Sequence, residues 1–290
     1  MTALQLLPAI ARSARALAVA TLALPAVVPG QSPAAPDGGV RLEVRPHVGD
    51  TVAVRLEQSV EMTGVRRIGG RDSTARVTSS MLMLARTIVE SVAADYTVVT
   101  MRTDSVQLAS SDDHEGQMRE QAEHALRGAT SRLRILPDGT AEGLDESMGP
   151  QGASLLAIMP ATLPTSPIAI GGRWTRSMVI PAVNGAKGAG QVKTTFRLDS
   201  VTAGGRYAWI SMKGTLRRER SASLGDSVSR SGALSGSLVG AMKLDRRRGW
   251  VVATYTDMTV KSTVTTPTAP DVPLRVTVHV MQTMRAEERD

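Results

Sequence analysis

Thr51-Val52-Ala53-Val54-Arg55-Leu56-Glu57-Gln58-Ser59-Val60-Glu61-Met62 places Val52, Val54, Leu56, Val60 and Met62 on one parity. Thr51, Arg55, Glu57, Ser59 and Glu61 fall on the other. Strict alternation over a dozen residues is the signature of a long strand with one apolar face and one wet face. The next run puts Ala75, Val77, Met81, Met83 and Val89 on one parity and Leu82, Leu84 and Ile88 on the other. That pattern implies a strand whose middle is covered on both faces. Ala93-Ala94-Asp95 then turns the chain into a third run from Tyr96 to Ser105.

Downstream the same order of features returns. Val48-Gly49-Asp50-Thr51 opens the first passage and Ile170-Gly171-Gly172-Arg173-Trp174 opens the second. Ser91 to Met101 answers to Ser200 to Met212, where Ala203-Gly204-Gly205-Arg206 supplies the turn between Val192-Thr194-Phe196-Leu198 and Tyr207-Trp209. Leu136-Pro137-Asp138-Gly139 answers to Leu244-Asp245-Arg246-Arg247-Arg248-Gly249. Two copies of one β-rich unit in a single domain explain this order. The C-terminal third continues with Leu234, Leu238, Met242 and Leu244, then Trp250 to Val264, a break at Pro267 and Pro270, and Leu274, Val276, Val278 and Val280. The fold class is mainly β, α+β at the margin: two similar antiparallel meanders of roughly eleven or twelve strands, forming a curved sheet, half-barrel or sandwich. Helix is confined to one or two short pieces, a first over about 115–126 capped by Ser111 or Asp112 and a second over 152–159 ahead of Pro160.

The N-terminus points to export. Arg12 and Arg15 precede an apolar stretch, Ala16 to Val28, that is too short to cross a bilayer and runs into Pro29-Gly30-Gln31-Ser32-Pro33. This is the layout of a cleavable signal peptide over 1–30, with a Pro/Ala/Gly linker at 31–39. The β-rich domain then occupies 40–290, with halves at about 40–150 and 165–284. A periplasmic or secreted location follows, without a transmembrane span in the mature chain. There is no cysteine, which excludes disulfides, thiol catalysis and cysteine-ligated metal centres, and leaves no residue for a lipid anchor.

Of the net charge of +7, Arg12 and Arg15 supply two, leaving +5 on the remainder. Such an excess speaks to solubility and weak attraction to anionic surfaces, and nucleic acid is not implied without a platform of aromatic and basic side chains. Aromatic residues make up only 2% of the chain, so Val, Leu, Ile, Ala and the 14 Met residues must build the core.

No cofactor motif and no metal-ligand spacing is present. Asp112-Asp113-His114-Glu115, with Glu120 and His124, resembles a ligand cluster at first reading, but helix capping and the helix dipole account for its acids. Its histidines are not spaced as in the His-Glu-x-x-His of zinc proteases. This segment is the one place where a hydrolase acting on envelope material could be sited, through His114 and His124. His47 and His279 fall on the polar side of strand-like runs. Gly232, Gly236 and Gly240 recur every four residues in a strand context, which is not a membrane-helix motif. Trp174, Trp209 and Trp250 all lie in the second half, with Tyr207, Tyr255 and Phe196. They are the candidate lining of an apolar ligand cavity between the halves. Catalysis needs converging acids, bases or nucleophiles, and none converge in the sequence, so a non-enzymatic protein that binds a hydrophobic ligand or an envelope protein is the favoured class.

The segment Leu155 to Trp174, with Leu163-Pro164 leading into Pro167-Ile168-Ala169-Ile170-Gly171-Gly172-Arg173-Trp174, resembles a known signature. Leucine-proline followed by valine-glycine-aspartate-x-tryptophan marks an uncharacterised family of exported bacterial proteins, a domain of unknown function. Val48-Gly49-Asp50 and Leu136 to Gly139 match its opening Gly-Asp and its strand turn. The resemblance implies a β-rich fold and export, and no activity. Gly172 stands where that family usually has an acid.

Overall fold

In a computed structural model, every strand pairs antiparallel with a neighbour in one eleven-stranded curved sheet. The structure describes residues 39–111, 116–144, 163–180, 190–218, 234–266 and 269–287. These belong to one compact unit, Ala35–Asp290. The first meander comprises β1 (Thr51–Ile68), β2 (Arg71–Val92), β3 (Thr97–Ser110), β4 (Thr130–Ile135) and β5 (Ala141–Gly143). The second comprises β6 (Arg173–Ile180), β7 (Gly190–Val201), β8 (Tyr207–Arg218), β9 (Leu234–Asp245), β10 (Trp250–Thr266) and β11 (Ala269–Glu287). Spatial order is β5-β4-β3-β2-β1-β11-β10-β9-β8-β7-β6, so the first and last strands meet in the middle of the sheet. The quoted turns fall at matching places: 93–96 and 202–206 link the second strand of each meander to the third, and 136–140 and 245–249 link the fourth to the fifth.

Register decides which face each side chain takes. Leu56 lies opposite Met83 and Met284, Met284 opposite Thr254, Thr254 opposite Met242, Met242 opposite Ile210, and Ile210 opposite Leu198. This row runs across the face we call inner, and the even-numbered residues of β1, β10 and β11 with the odd-numbered residues of β2 define it. The alternation in Thr51 to Met62 therefore orients its strand as the sequence implies. Gly240 belongs to this face as well. A Cβ there would stand 2.3 Å from the Tyr255 carbonyl oxygen, so its spacing with Gly236 serves close approach of the β10 backbone to β9.

Two expectations are corrected. No second layer among the described residues covers the outer side of β2: Leu82 and Leu84 are half-buried there and Ile88 is 43% exposed. The described strands form one curved sheet and not two stacked ones, so the sandwich alternative falls. His47 lies in a turn and not on a strand; its N–H donates to the Asp50 carboxylate at 2.9 Å. Helix α1 (Gly116–Leu126) lies where expected, and the second short helix, at 152–159, falls outside the described residues. The α1 side chain of Glu123 accepts the Leu108 N–H at 2.7 Å, past the point where β4 stops pairing with β3. A carboxylate thus satisfies a strand edge that would otherwise be open to another chain.

Candidate functional site

Residues 39–45 form an extended strap laid on one end of the inner face. Val40 donates to the Ile168 carbonyl at 2.7 Å and accepts from Ile168 at 3.0 Å. Val44 donates to Pro137 at 2.8 Å and Arg45 donates to Gly249 at 2.9 Å. The strap therefore ties the 136–140 turn of the first meander to the 245–249 turn of the second and to the segment before β6. Arg176 reinforces that segment by donating to the Leu163 carbonyl at 2.7 Å. Alternation again explains the packing. Leu42 and Val44 point into a core with Leu163, Phe196, Leu198, Ile210, Met242 and Leu244, while Arg41 and Arg45 face water. A second cluster, Val89, Val99 and Leu133, joins the first through Ile135 and Trp250.

Asp245 anchors the strapped end. Its side chain is 1% exposed, its carboxylate pairs with Arg206 at 3.0 Å, and it accepts the N–H groups of Arg247 and Arg248 at 3.0 and 3.2 Å. Burial alone would push its pKa up; Arg206 and the two backbone donors outweigh that and hold it below the usual carboxylate value. Its counterpart Asp138 accepts the Thr140 N–H at 3.0 Å, so both turns are closed by an aspartate that hydrogen-bonds two or three residues ahead.

Beside the strap the described residues leave the inner face unfilled. A cavity of about 160 Å³ is lined by Val54, Leu56, Met83, Val99, Leu133 and Trp250 among others, all uncharged. That volume is below the roughly 300 Å³ at which pockets begin to hold whole small ligands. It accommodates a piece of hydrocarbon, and anything longer must continue along the inner face away from the strap. Val60, Met62, Val77, Val278, Val280 and Met258 extend the apolar row in that direction, half-buried except for Met62, which is 45% exposed.

The candidate aromatics divide between the two faces. Trp250 lines the cavity. Phe196 is fully buried and stacks on Trp174 with ring centroids 5.5 Å apart, behind the strap. Tyr207, Trp209 and Tyr255 take the opposite parity and stand on the outer face. Lys243 sits 3.8 Å from the Tyr207 ring centroid and 5.3 Å from that of Trp209, so these rings cradle a cation. The structure thus brings Trp174, Phe196 and Trp250 to one side of the sheet and places Tyr207, Trp209 and Tyr255 on the other. The strap and Met284 were not singled out from sequence, and Leu56 and Met83 only as apolar strand positions. Val40, Leu42 and Val44 alternate as a strand would, which was the available signal.

Asp112 to Glu115 lie outside the described residues. His124 sits in the last turn of α1, and His279 meets Asp257 at 2.8 Å on the outer face. Among the described residues no group of three His, Asp or Glu side chains could hold a metal ion. No described helix is long and apolar enough to cross a membrane.

Residues 152–251 match a family of unknown function (DUF6263). The matched stretch contains Leu163-Pro164 and Trp174 and extends through β9. No curated protein matches the chain. Among solved structures it is similar to lipovitellin, in a study of lipid-protein interactions, at 11% identity and TM-score 0.47 over 83% of this chain. This chain spans 25% of that lipovitellin chain. It is also similar to an outer membrane channel from Pseudomonas putida, at 13% identity and TM-score 0.21 over 90% of this chain and 100% of that one. A DUF1329 family protein from Desulfovibrio piger follows at 10% identity and TM-score 0.13, over 80% and 85% of the two chains.

Proposed function

We propose that this is an exported, non-enzymatic protein of the periplasm or cell surroundings that holds a hydrophobic ligand on the inner face of its sheet. One observation carries the reading: a largely apolar face, crossed by the polar row Gln58, Gln282 and Thr256, is covered by the strap at one end and by no described residue at the other. Apolar surface is normally covered by a second layer, and exposed stretches of it mark binding sites for ligands or partners. The cavity beside Trp250 takes the end of the ligand, and Leu56, Met83 and Met284 form its floor. Trp174 and Phe196 brace the wall from behind the strap, and the outer rings do not touch the ligand. In this account residues 1–30 direct export and 31–39 link to the domain. The two meanders derive from one duplicated unit and leave the binding face between them.

The test is titration of the purified mature protein with a fluorescent long-chain acyl probe. Saturable binding is expected, weakened at least about tenfold by Met62→Glu, which sets a charge on the apolar row, and unaffected by Thr63→Glu on the outer face. Binding no greater than that of an unrelated soluble protein, or equal sensitivity to both substitutions, rejects the proposal.

A further inference from the structure

The charged residues of the four longest strands are sorted by face. On β1, Arg55, Glu57, Glu61 and Arg67 take outer positions, and on β2 so do Asp72, Arg76, Arg86 and Glu90. Asp257 and Lys261 on β10 do the same, as do Arg275, Arg285 and Glu287 on β11. The outer acids of β1 and β2 are matched locally: Arg55 with Glu57 and Arg132 with Glu90 at 2.7 Å, Arg67 with Asp72 at 3.2 Å, and Arg76 with Glu61; Arg86 pairs with Asp104 of β3 at 2.7 Å.

The inner positions follow a different rule. Register puts Arg66 opposite Ser73 and Arg71 opposite Ile68, both on the inner face, at the β1–β2 tip farthest from the strap. They are the only charged residues on the inner face of β1, β2, β10 and the 274–287 part of β11, and that face carries no acid. Arg66 is half-buried and Arg71 exposed, and among the described residues neither has an ion-pair partner.

We infer that the ligand is a long-chain amphiphile with an anionic head group, its head held by Arg66 and Arg71 and its chain running along Met62, Val77, Val278 and Val280 toward Leu56. The inference rests on the hydrophobic-ligand reading above and adds the chemistry of the head. Ten residues of strand, from Arg66 to Leu56 at the cavity, span about 33 Å, and a bilayer's hydrocarbon core of about 30 Å holds two opposed chains of about 15 Å each. An amphiphile with its head at the tip arginines and its end in the cavity therefore needs an extended chain about twice as long as that of one bilayer leaflet. Planar guanidinium groups suit carboxylate and phosphate alike, while the described inner positions of these four strands hold no acid for a cationic head.

The experiment displaces the fluorescent acyl probe with single-chain competitors of equal length bearing carboxylate, phosphate, neutral glycerol or trimethylammonium heads, all as monomers. Both anionic heads are expected to bind about tenfold tighter than the neutral one, the combined worth of two partly exposed charge contacts, and the cationic head weakest. The preference should shrink between about 0.02 M and 1 M salt, since the tip is open to solvent. Arg66→Gln with Arg71→Gln should bring the anionic-to-neutral ratio near one, and Arg67→Gln, on the outer face, should leave it. Equal binding of all heads by the wild type, or a preference that survives the double substitution or high salt, overturns the head-group inference while leaving the hydrophobic-ligand reading standing. Capture on anionic phospholipid vesicles without binding of any monomer overturns both.

Discussion

The strapped end and the open end of the inner face are built from the same alternating sequence and reach opposite outcomes. Near the strap, Met242, Ile210 and Leu198 are no more than 1% exposed, whereas Met62, on the same face, is 45% exposed. Side-chain type does not separate them, since Met occurs in both. What differs is a second layer: Leu42 and Val44 supply one at the first end, and no described residue supplies one at the second. Apolar alternation makes a face suited to burial, and only a partner laid on that face turns it into core.

That contrast can be broken by substitution. Phe196→Ala removes a fully buried ring and its stacking on Trp174, and should cost about 3–5 kcal/mol, read as a fall in the denaturant midpoint. Gly249→Ala comes next. A Cβ there would stand 2.1 Å from the Arg45 carbonyl oxygen, and its φ of +60° already disfavours a side chain. Displacing the strap should cost about 2–4 kcal/mol and speed amide exchange at Val44 and Arg45, which hydrogen-bond the two turns. If exchange there stays slow, the strap is not what seals this end.

Asp245→Ala should cost about 2 kcal/mol, because it removes a buried carboxylate that pairs with Arg206 and accepts two backbone N–H groups. Its effect has a pH signature. The folded carboxyl titrates below its unfolded value of about 3.9, so its contribution is complete above that value and disappears as pH falls through the folded one. The variant should therefore lose less stability than the wild type on acidification. A parallel acid limb in both proteins would show that other carboxylates carry it. The smallest effect belongs to the open end: Met62→Ala should shift stability by less than about 0.5 kcal/mol, while still weakening the acyl probe. A large loss of stability there would mean that the distal row is core.

Much of this was readable from side-chain order. Val52 to Met62 fixed one strand's faces, the paired turns at 136–140 and 245–249 fixed where two hairpins close, and Ala208, Ile210 and Met212 already implied that Tyr207 and Trp209 face outward. Grouping the rings by type and not by parity is what placed Tyr207, Trp209 and Tyr255 in one cavity with Trp250. The strap was not readable in the same way, because its partners at Pro137, Ile168 and Gly249 lie about 90 to 200 positions downstream.

Local chemistry in the chain settled what each segment would become: strands by period two, turns by glycine and aspartate, and a core without cysteine and with few rings. Tertiary structure alone decided that β1 pairs with β11, and that the strap covers one end of the face while no described residue covers the other. The reason is range. Alternation and turn geometry act between residues a few positions apart, while register between distant strands and the layer that covers them depend on chain ends meeting in space.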